Sequence, residues 1–153
     1  SESLDGFLQT SNNVLKQNVK TWLNSKRLIN DSVDILDAKI VNLKIEFEAI
    51  SVDGANTVSV LNEAVNRLSA LYETKMDVGE SFSITDVYST LNAVPNLADT
   101  ISVKVTRASG TGYSTTNLNI KSQTTPDGRY IRAPKNVIFE VKYPNVDIQG
   151  TMK

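Results

Sequence analysis

Glu46 and Glu48 are the residues whose type and spacing point most directly to chemistry, since they stand two apart in a stretch that alternates apolar and polar residues. Side chains two apart on a strand share a face and lie roughly 7 Å from each other. Two carboxyl groups about 5 to 10 Å apart are what glycosidases use. The same alternation is typical of a strand with one buried and one wet face, which makes these acids its expected solvated side. We favour this second interpretation and predict no catalytic residue here.

Two further patterns partly match the sequence motifs of known ligand sites. Asp31, Asp34 and Asp37 follow at steps of three, whereas a calcium loop of the EF-hand type needs acids at alternate positions, a central Gly and a closing Glu. Gly110 and Gly112 form a Gly-x-Gly, but no helical pattern follows, and phosphate-binding loops lead from a strand into a helix. We predict turns and a loop at these positions, with no metal ion and no cofactor.

Three basic residues, Arg129, Arg132 and Lys135, lie within seven positions, with Tyr130 between them. Such a cluster is compatible with nucleic-acid binding, but the pI of about 5.4 is far below the value above about 9 that is usual for such domains. We favour a loop that contacts protein. Trp22, the only Trp, lies on an apolar helical stripe, where it either packs in the core or anchors an interface. These five residues are the candidate protein interface.

The chain of 153 residues contains neither His nor Cys. These two residue types supply most bases that activate nucleophiles, most thiolates and most transition-metal ligands. Their absence excludes Ser-His-Asp and Cys-His catalysis, zinc sites with His or Cys ligands, His-ligated haem, iron–sulfur clusters and disulfides. Only carboxylate, Lys, Tyr or hydroxyl chemistry is left, and we predict that the protein is not an enzyme.

Helical periodicity marks two segments that position these residues. Apolar residues at steps of three and four predict an amphipathic helix over residues 13–28, with Ser11 or Asn12 as its cap. Residues 30–32 are Asn, Asp and Ser, which favour a turn and break this helix. The same steps predict a helix of about five turns over residues 58–72.

Strand periodicity alternates with these helices. Period two predicts strands over residues 41–49 and 101–105. Between them, Ser83 and Asp86 have the spacing of a capping box at the start of a short helix, which Pro95 ends. The order of elements is therefore helix, strand, helix, helix, strand.

The last third of the chain reads as loops and short strands. Residues 109–116 are almost free of apolar side chains and predict a loop, and residues 118–121 predict a short strand. Pro, Asp and Gly at 126–128 predict the turn of a β-hairpin. Residues 137–143 predict a strand, which Pro144 separates from 146–149.

Together these elements predict an α+β fold, with helices packed on a small mixed or antiparallel sheet and a C-terminal β-hairpin extension. We divide the chain into a polar lead segment at 1–12, an α+β domain at 13–107 and a C-terminal β extension at 108–153. The composition, 40% hydrophobic and 22% charged, is that of an ordinary folded domain. No apolar run approaches the roughly 20 residues of a membrane span, so no membrane partner is expected.

Charge is divided unevenly along the chain. Residues 1–100 hold eight Lys or Arg and fourteen Asp or Glu, whereas residues 101–153 hold eight and three. A basic surface for an acidic partner would explain this division. Mutual neutralisation of the two parts within one fold would explain it equally, and the second explanation is the simpler one.

Several segments resemble the baseplate J-like wedge proteins of contractile-tailed phages, and the T-even type of wedge subunit in particular. The resemblance covers about residues 14–107 and continues at the C-terminal end. The segments that carry it are 22–37, 40–49, 64–68, 79–87, 94–97 and, at the end, 139–150.

The resemblance implies a structural protein of the virion, assembled in the host cytoplasm. Such a wedge subunit pairs with itself and with other wedge proteins to form the ring around the hub, without catalysis and without nucleic-acid or small-molecule partners. The chain opens with Ser rather than Met, and we interpret it as the C-terminal part of a longer subunit. Two alternatives stay open. One is a carbohydrate-binding or adhesive module using loop 109–116 and the basic hairpin, and the other is a glycosidase using Glu46 and Glu48.

Overall fold

The computed structural model describes residues 2–26 and 37–153. The helices and strands within these ranges are, in chain order, α1 (Asn13–Asn24), β1 (Lys39–Ser51), α2 (Thr57–Leu71), β2 (Phe82–Ser83), α3 (Ile84–Asn92), β3 (Leu97–Arg107), α4 (Ile120–Gln123), β4 (Tyr130–Ile131), β5 (Val137–Glu140), α5 (Pro144–Asp147) and β6 (Ile148–Met152).

Strand β1 is the centre of the main sheet. It pairs with β3 in the antiparallel direction along one edge. Along its other edge it pairs in parallel, first with β5 opposite its beginning and then with β6 opposite its second half. Strands β2 and β4 form a separate small antiparallel sheet. The predicted α+β class with a mixed sheet is confirmed.

The alternation predicted for β1 is present in the structure, because its two faces meet different surroundings. Five alternate apolar side chains point into the core and are buried: Val41, Leu43, Ile45, Phe47 and Ala49. Of the polar side chains between them, Lys44, Glu46 and Glu48 face the open side of the sheet, whereas Asn42 is buried against Glu140. Strand β1 runs a little beyond the predicted 41–49 at both ends.

Helices α2 and α3 cover the apolar face of the sheet. Helix α2 buries Val60, Ala64 and Leu68, one turn apart, while Glu63 and Arg67 pair on its outer side with 2.7 Å between Oε1 and Nε. Helix α3 buries Ile84, Val87 and Leu91. Both helices form where the sequence predicts them, but Val58, with which the predicted stripe of α2 begins, is exposed, and the buried row begins at Val60.

The Ser83 cap of the predicted capping box is present at the start of α3, whereas the hydrogen bonds of the described residues do not include its reciprocal bond from the Ser83 N–H to Asp86. The Asp86 N–H donates to Ser83 Oγ at 3.1 Å, which satisfies one of the unpaired amides of the first turn. The Asp86 carboxylate also lies in that turn, where the helix dipole favours negative charge.

The prediction of a strand at 118–121 is wrong, since this segment contains the one-turn helix α4. The Asn119 side chain accepts a hydrogen bond from the Ser122 N–H at 3.2 Å, and Ile120 is buried. An Asn cap together with one buried apolar residue favours a helical turn over an extended segment.

The turn predicted at 126–128 is present, but its hairpin takes a different form. The Gly128 N–H donates to the Thr125 carbonyl at 2.8 Å, and Thr124 and Ile131 form an isolated antiparallel bridge. The strand that follows the turn, β4, forms its ladder with β2 instead of with the segment before the turn.

The C-terminal residues of the predicted β extension at 108–153 return to the main sheet, where β5 and β6 pair with β1. The predicted strand at 137–143 ends at Glu140, and Pro144 begins a helical turn, a position that needs no N–H from proline. Strand β5 is buried at every residue, as is typical of a parallel strand covered on both faces. Residues 137–152 therefore complete the same core that β1 begins.

The segment predicted as a polar lead, residues 1–12, also packs on the domain. The Leu8 N–H donates to Glu140 Oε2 at 2.9 Å. The ring of Phe7 meets the ring of Tyr143 edge to face, with 5.3 Å between centroids. No helix in the described ranges is long and apolar enough to span a membrane.

A candidate interaction surface on helix α1

Helix α1 forms where the sequence predicts it, and it ends at Asn24 rather than at residue 28. Asn12 caps it, as expected, by accepting a hydrogen bond from the Leu15 N–H at 2.7 Å. The predicted turn at 30–32 lies outside the described residues.

The apolar stripe of α1 is open to solvent. None of the helix residues is buried, and Trp22 is 62% exposed. The interpretation of Trp22 as a core residue is therefore wrong, and its role as an interface anchor stays a prediction. The other exposed apolar residues of the helix are Val14, Leu15 and Val19.

Helix α1 is joined to the body of the domain by an ion pair. Lys16 Nζ lies 2.6 Å from Asp37 Oδ1, just before β1 begins. An exposed pair of this kind contributes roughly 0.2 to 1 kcal/mol. Residues 13–26 contain Lys16, Lys20 and Lys26 and no acid, so the apolar stripe lies on a basic helix.

The basic hairpin residues lie in the C-terminal third of the chain, far from α1 in sequence. Arg129, Tyr130, Arg132 and Lys135 are all exposed, and Arg129 Nε lies 4.0 Å from Asp127. Arg129 accepts a hydrogen bond at its carbonyl from the Ile84 N–H at 2.8 Å, which fixes the turn against the start of α3. Within the described residues, no hydrogen bond, ion pair or ring contact joins this hairpin to Trp22.

Of the acids considered for catalysis or metal binding, those that the structure describes are each in an ion pair with a lysine. Glu46 lies 3.1 Å from Lys44, and Glu48 lies 3.1 Å from Lys153, both on the open face of the sheet. Asp37 pairs with Lys16, while Asp31 and Asp34 lie outside the described residues. In residues 2–26 and 37–153, no group of three or more potential metal-ligating side chains comes together.

One ion pair and one pairing between strands bear on the uneven charge distribution along the chain. The Glu48–Lys153 pair joins an acid of the first 100 residues to a base of the last 53. Glu46 stands opposite Lys104 in the ladder between β1 and β3. Both pairings favour the explanation that acidic and basic residues of the sheet neutralise each other's charge within the fold. The basic hairpin takes no part in them.

A buried carboxylate, which the sequence analysis missed, holds four parts of the chain together. Glu140 Oε1 accepts from Asn42 Nδ2 at 3.0 Å, Oε2 accepts from the Leu8 N–H, and Lys75 Nζ lies 3.5 Å from Oε2. Asn42 in turn accepts from the Ser114 N–H at 2.7 Å. In the sequence, the one indication of this buried carboxylate was an acid within the apolar run 137–141. We interpret this network as structural, because the buried side-chain nitrogen and oxygen atoms of the described residues all have hydrogen-bond partners.

Loop 109–116 is held by a second buried carboxylate, Asp147. The Tyr113 hydroxyl donates to Asp147 Oδ1, and the Tyr143 N–H donates to Oδ2 at 2.9 Å. The hydrogen bond to Asp147 is the main cause that raises the pKa of Tyr113 to about 12, and desolvation adds to it. The Lys142 ammonium also donates to the Gly112 carbonyl. The loop is thus attached to α5, and its proposed use for carbohydrate stays a prediction that a glycan array tests.

Tyr113→Phe is expected to remove a contribution to stability that depends on pH. The folded pKa of Tyr113, about 12, exceeds the ordinary value of 10.0. The contribution is therefore complete below pH 10 and is lost as the pH rises from 10 to 12. Urea unfolding of both proteins between pH 8 and 12 measures it as a difference that shrinks with pH.

Tyr130→Phe is the matched control, because it removes an exposed hydroxyl from the hairpin. Its stability difference from the wild type should be small at every pH. A Tyr113→Phe difference that stays constant up to pH 12 would contradict the role assigned to the Asp147 hydrogen bond.

Comparison of the chain with protein-family models and with curated proteins gives no match. Membership of the wedge family therefore stays a prediction that the resembling segments carry. The surface properties of α1 are independent of that resemblance, since they follow from the exposure of its side chains.

Proposed function

We propose that this chain is a structural subunit of a phage tail baseplate wedge. It helps to form the ring around the hub by binding copies of itself and other wedge proteins, and it acts in the virion. The observation that carries the proposal is the open apolar stripe of α1, with Trp22 near its C-terminal end. The resemblance of the segments between residues 22 and 150 to wedge proteins supplies the biological setting.

The energetic argument rests on what burial of this stripe would contribute. Exposed apolar area gives about 25 cal/mol for each Å² removed from water, and aromatic side chains bury 150 to 250 Å². Trp is also the residue type most enriched at positions that dominate binding. A helix that carries Trp22, Leu15 and Val19 on one open face is therefore suited to association.

The polar features of the domain support the same proposal. The buried carboxylates Glu140 and Asp147 are saturated by internal donors, and Glu46 and Glu48 are paired with lysines. These groups are engaged in holding the fold. The apolar stripe of α1, by contrast, is open to solvent in the described part of the chain.

Sedimentation over a wide concentration range, with the chain alone and then with candidate wedge proteins, tests the proposal. The single Trp makes fluorescence a second readout, since emission from Trp22 shifts to shorter wavelength when its ring is buried. We expect a discrete complex together with that shift. A chain that stays monomeric and binds no wedge protein would contradict the proposal.

The basic hairpin provides a prediction about rate. Replacing Arg129, Arg132 and Lys135 by Gln is expected to lower the association rate about tenfold at low salt, because rim charges steer encounter more than they hold the complex. Stopped-flow fluorescence of Trp22 measures this rate. The wild-type rate should fall towards that of the variant as salt increases, and a rate that does not depend on salt would contradict the steering role.

A further inference from the structure

A small groove lies where α2 ends and α3 begins. It has a volume of about 220 Å³, below the roughly 300 Å³ at which ligand pockets usually begin, so its size suits a single large side chain. Tyr72 and Phe82 stack at its wall, with 5.3 Å between centroids and 17° between planes. Leu71, also in the lining, is 41% exposed. Polar side chains, among them Lys75, Glu80 and Asp86, line the rest of the groove, so an entering side chain would meet both apolar and charged groups.

The surroundings of this groove are acidic. Residues 71–86 contain four acids and one Lys, and within the described residues no ion pair neutralises any of the four. They are Glu73, Asp77, Glu80 and Asp86. The Lys, Lys75, is directed to the buried Glu140 instead. Burial and, to a lesser degree, the nearby charge of Asp86 raise the pKa of Tyr72.

Helix α1 has the complementary properties. Its apolar row is open, Trp22 lies near the C-terminal end of that row, and every charged residue in 13–26 is a Lys. Two copies of α1 facing each other would bring these lysines together. An acidic surface is therefore the better partner for α1, and the chain carries one around the groove at 71–86.

We propose that α1 of one copy docks in the groove at 71–86 of a second copy, with Trp22 against Tyr72 and Lys26, four residues further along the chain, facing the acidic rim. This inference rests on the proposed function and specifies the surfaces used in self-association. The contact joins two different surfaces, so it is heterologous and leaves one helix and one groove available at the ends of each pair. Repetition of the contact produces a ring if the rotation closes.

Two variants that each remove one side of the contact test this arrangement. Trp22→Ala removes the anchor and leaves the groove intact. Leu71→Lys places a positive charge at the groove, and a Lys at the end of α2 is compatible with the helix dipole. Val58→Lys is the matched control, because Val58 is an exposed residue at the other end of the same helix.

We expect each interface variant alone to associate about 30-fold or more weakly than the wild type, the loss typical of removing a dominant interface residue. Val58→Lys should associate like the wild type. A mixture of the two interface variants should form a one-to-one complex that does not grow further. Since the Trp22→Ala variant contains no Trp, the emission shift in this mixture comes from Trp22 of the Leu71→Lys chain alone.

Other outcomes would overturn the inference. Self-association of Leu71→Lys at wild-type strength would show that the groove is not used. A mixture of Trp22→Ala and Leu71→Lys that remains monomeric would show that the helix of one chain does not bind the groove of another. Trp22 emission that is already shifted in the monomer, and that Leu71→Lys reverses, would place the helix in the groove of its own chain. A monomeric wild type that still binds a wedge protein through Trp22 would overturn only this inference and leave the proposed function standing.

Discussion

Glu140→Ala is expected to lower the free energy of unfolding by about 3 to 5 kcal/mol, the range observed when one member of a buried charged network is removed. The side chain of Glu140 is 1% exposed. Its loss leaves Asn42 Nδ2, the Leu8 N–H and Lys75 Nζ without their acceptor. Each buried donor left unpaired costs about 1 to 3 kcal/mol. Urea unfolding followed by circular dichroism measures the change.

Glu63→Ala is the matched control for this prediction. Glu63 is also paired with a basic residue, Arg67, but its side chain is 46% exposed. The pair is therefore expected to contribute about 0.5 kcal/mol or less. The same substitution in both places separates the effect of burial from that of the ion pair, and equal losses would contradict the structural role of Glu140.

Glu140→Gln refines the test because it keeps the shape and changes the acceptors. The Gln amide has one acceptor oxygen, whereas the Glu140 carboxylate accepts hydrogen bonds at both of its oxygens. The NH₂ group of Gln therefore faces another donor, either Asn42 Nδ2 or the Leu8 N–H. We expect most of the destabilisation seen with Ala. Hydrogen exchange should also show loss of protection at Leu8, since that amide depends on Glu140 alone.

Local structure was predictable from the sequence where nearby residues determine it. The alternation of β1 arises because one face contacts the core and the other contacts water. The cap of α3 needs only Ser83 and Asp86, three residues apart. Helix α2 follows from apolar steps within its own length. Each of these features is confirmed without reference to distant parts of the chain.

Long-range pairing was not predictable by the same reasoning. Strands β5 and β6 pair in parallel with β1 from about 100 residues away, and an apolar run such as 137–139 does not reveal its partner. The contact between Glu140 and Asn42 depends on that pairing and was missed with it. Asn119, which starts α4, was missed because one cap and one buried residue give too short a periodic signal.

The candidate interface was predictable in part. The residue type and the helical stripe identified Trp22 as either a core residue or an interface anchor, since an amphipathic stripe predicts an apolar face but not what covers it. Exposure in the structure excludes the core. The groove at 71–86 had no signal in the sequence, because it arises where the end of α2 meets β2 and α3.

Gly150→Ala is expected to destabilise the domain by about 3 kcal/mol, at the upper end of what overpacking a core costs. Gly150 pairs with Phe47 in the ladder between β6 and β1. A Cβ at this position would overlap the ring of Phe47 and would lie 2.6 Å from Leu61 Cδ1. Phe47 is fully buried, so the ring cannot move aside without displacing the core. Glycine is required here for space, since its backbone is not among the positive-φ positions.

A double-mutant cycle separates this steric cause from a general weakness of β6. Phe47→Leu creates room, so Gly150→Ala should cost less in that background than in the wild type, with a coupling of about 1 kcal/mol or more between the two sites. Thr151→Ala is the control, because Thr151 stands opposite Glu48 on the open face of the same strand. It should change the stability by about 0.5 kcal/mol at most. If Gly150→Ala costs the same in both backgrounds, the close approach of β6 to Phe47 is not what requires glycine, and the position of β6 against the core would need to be revised.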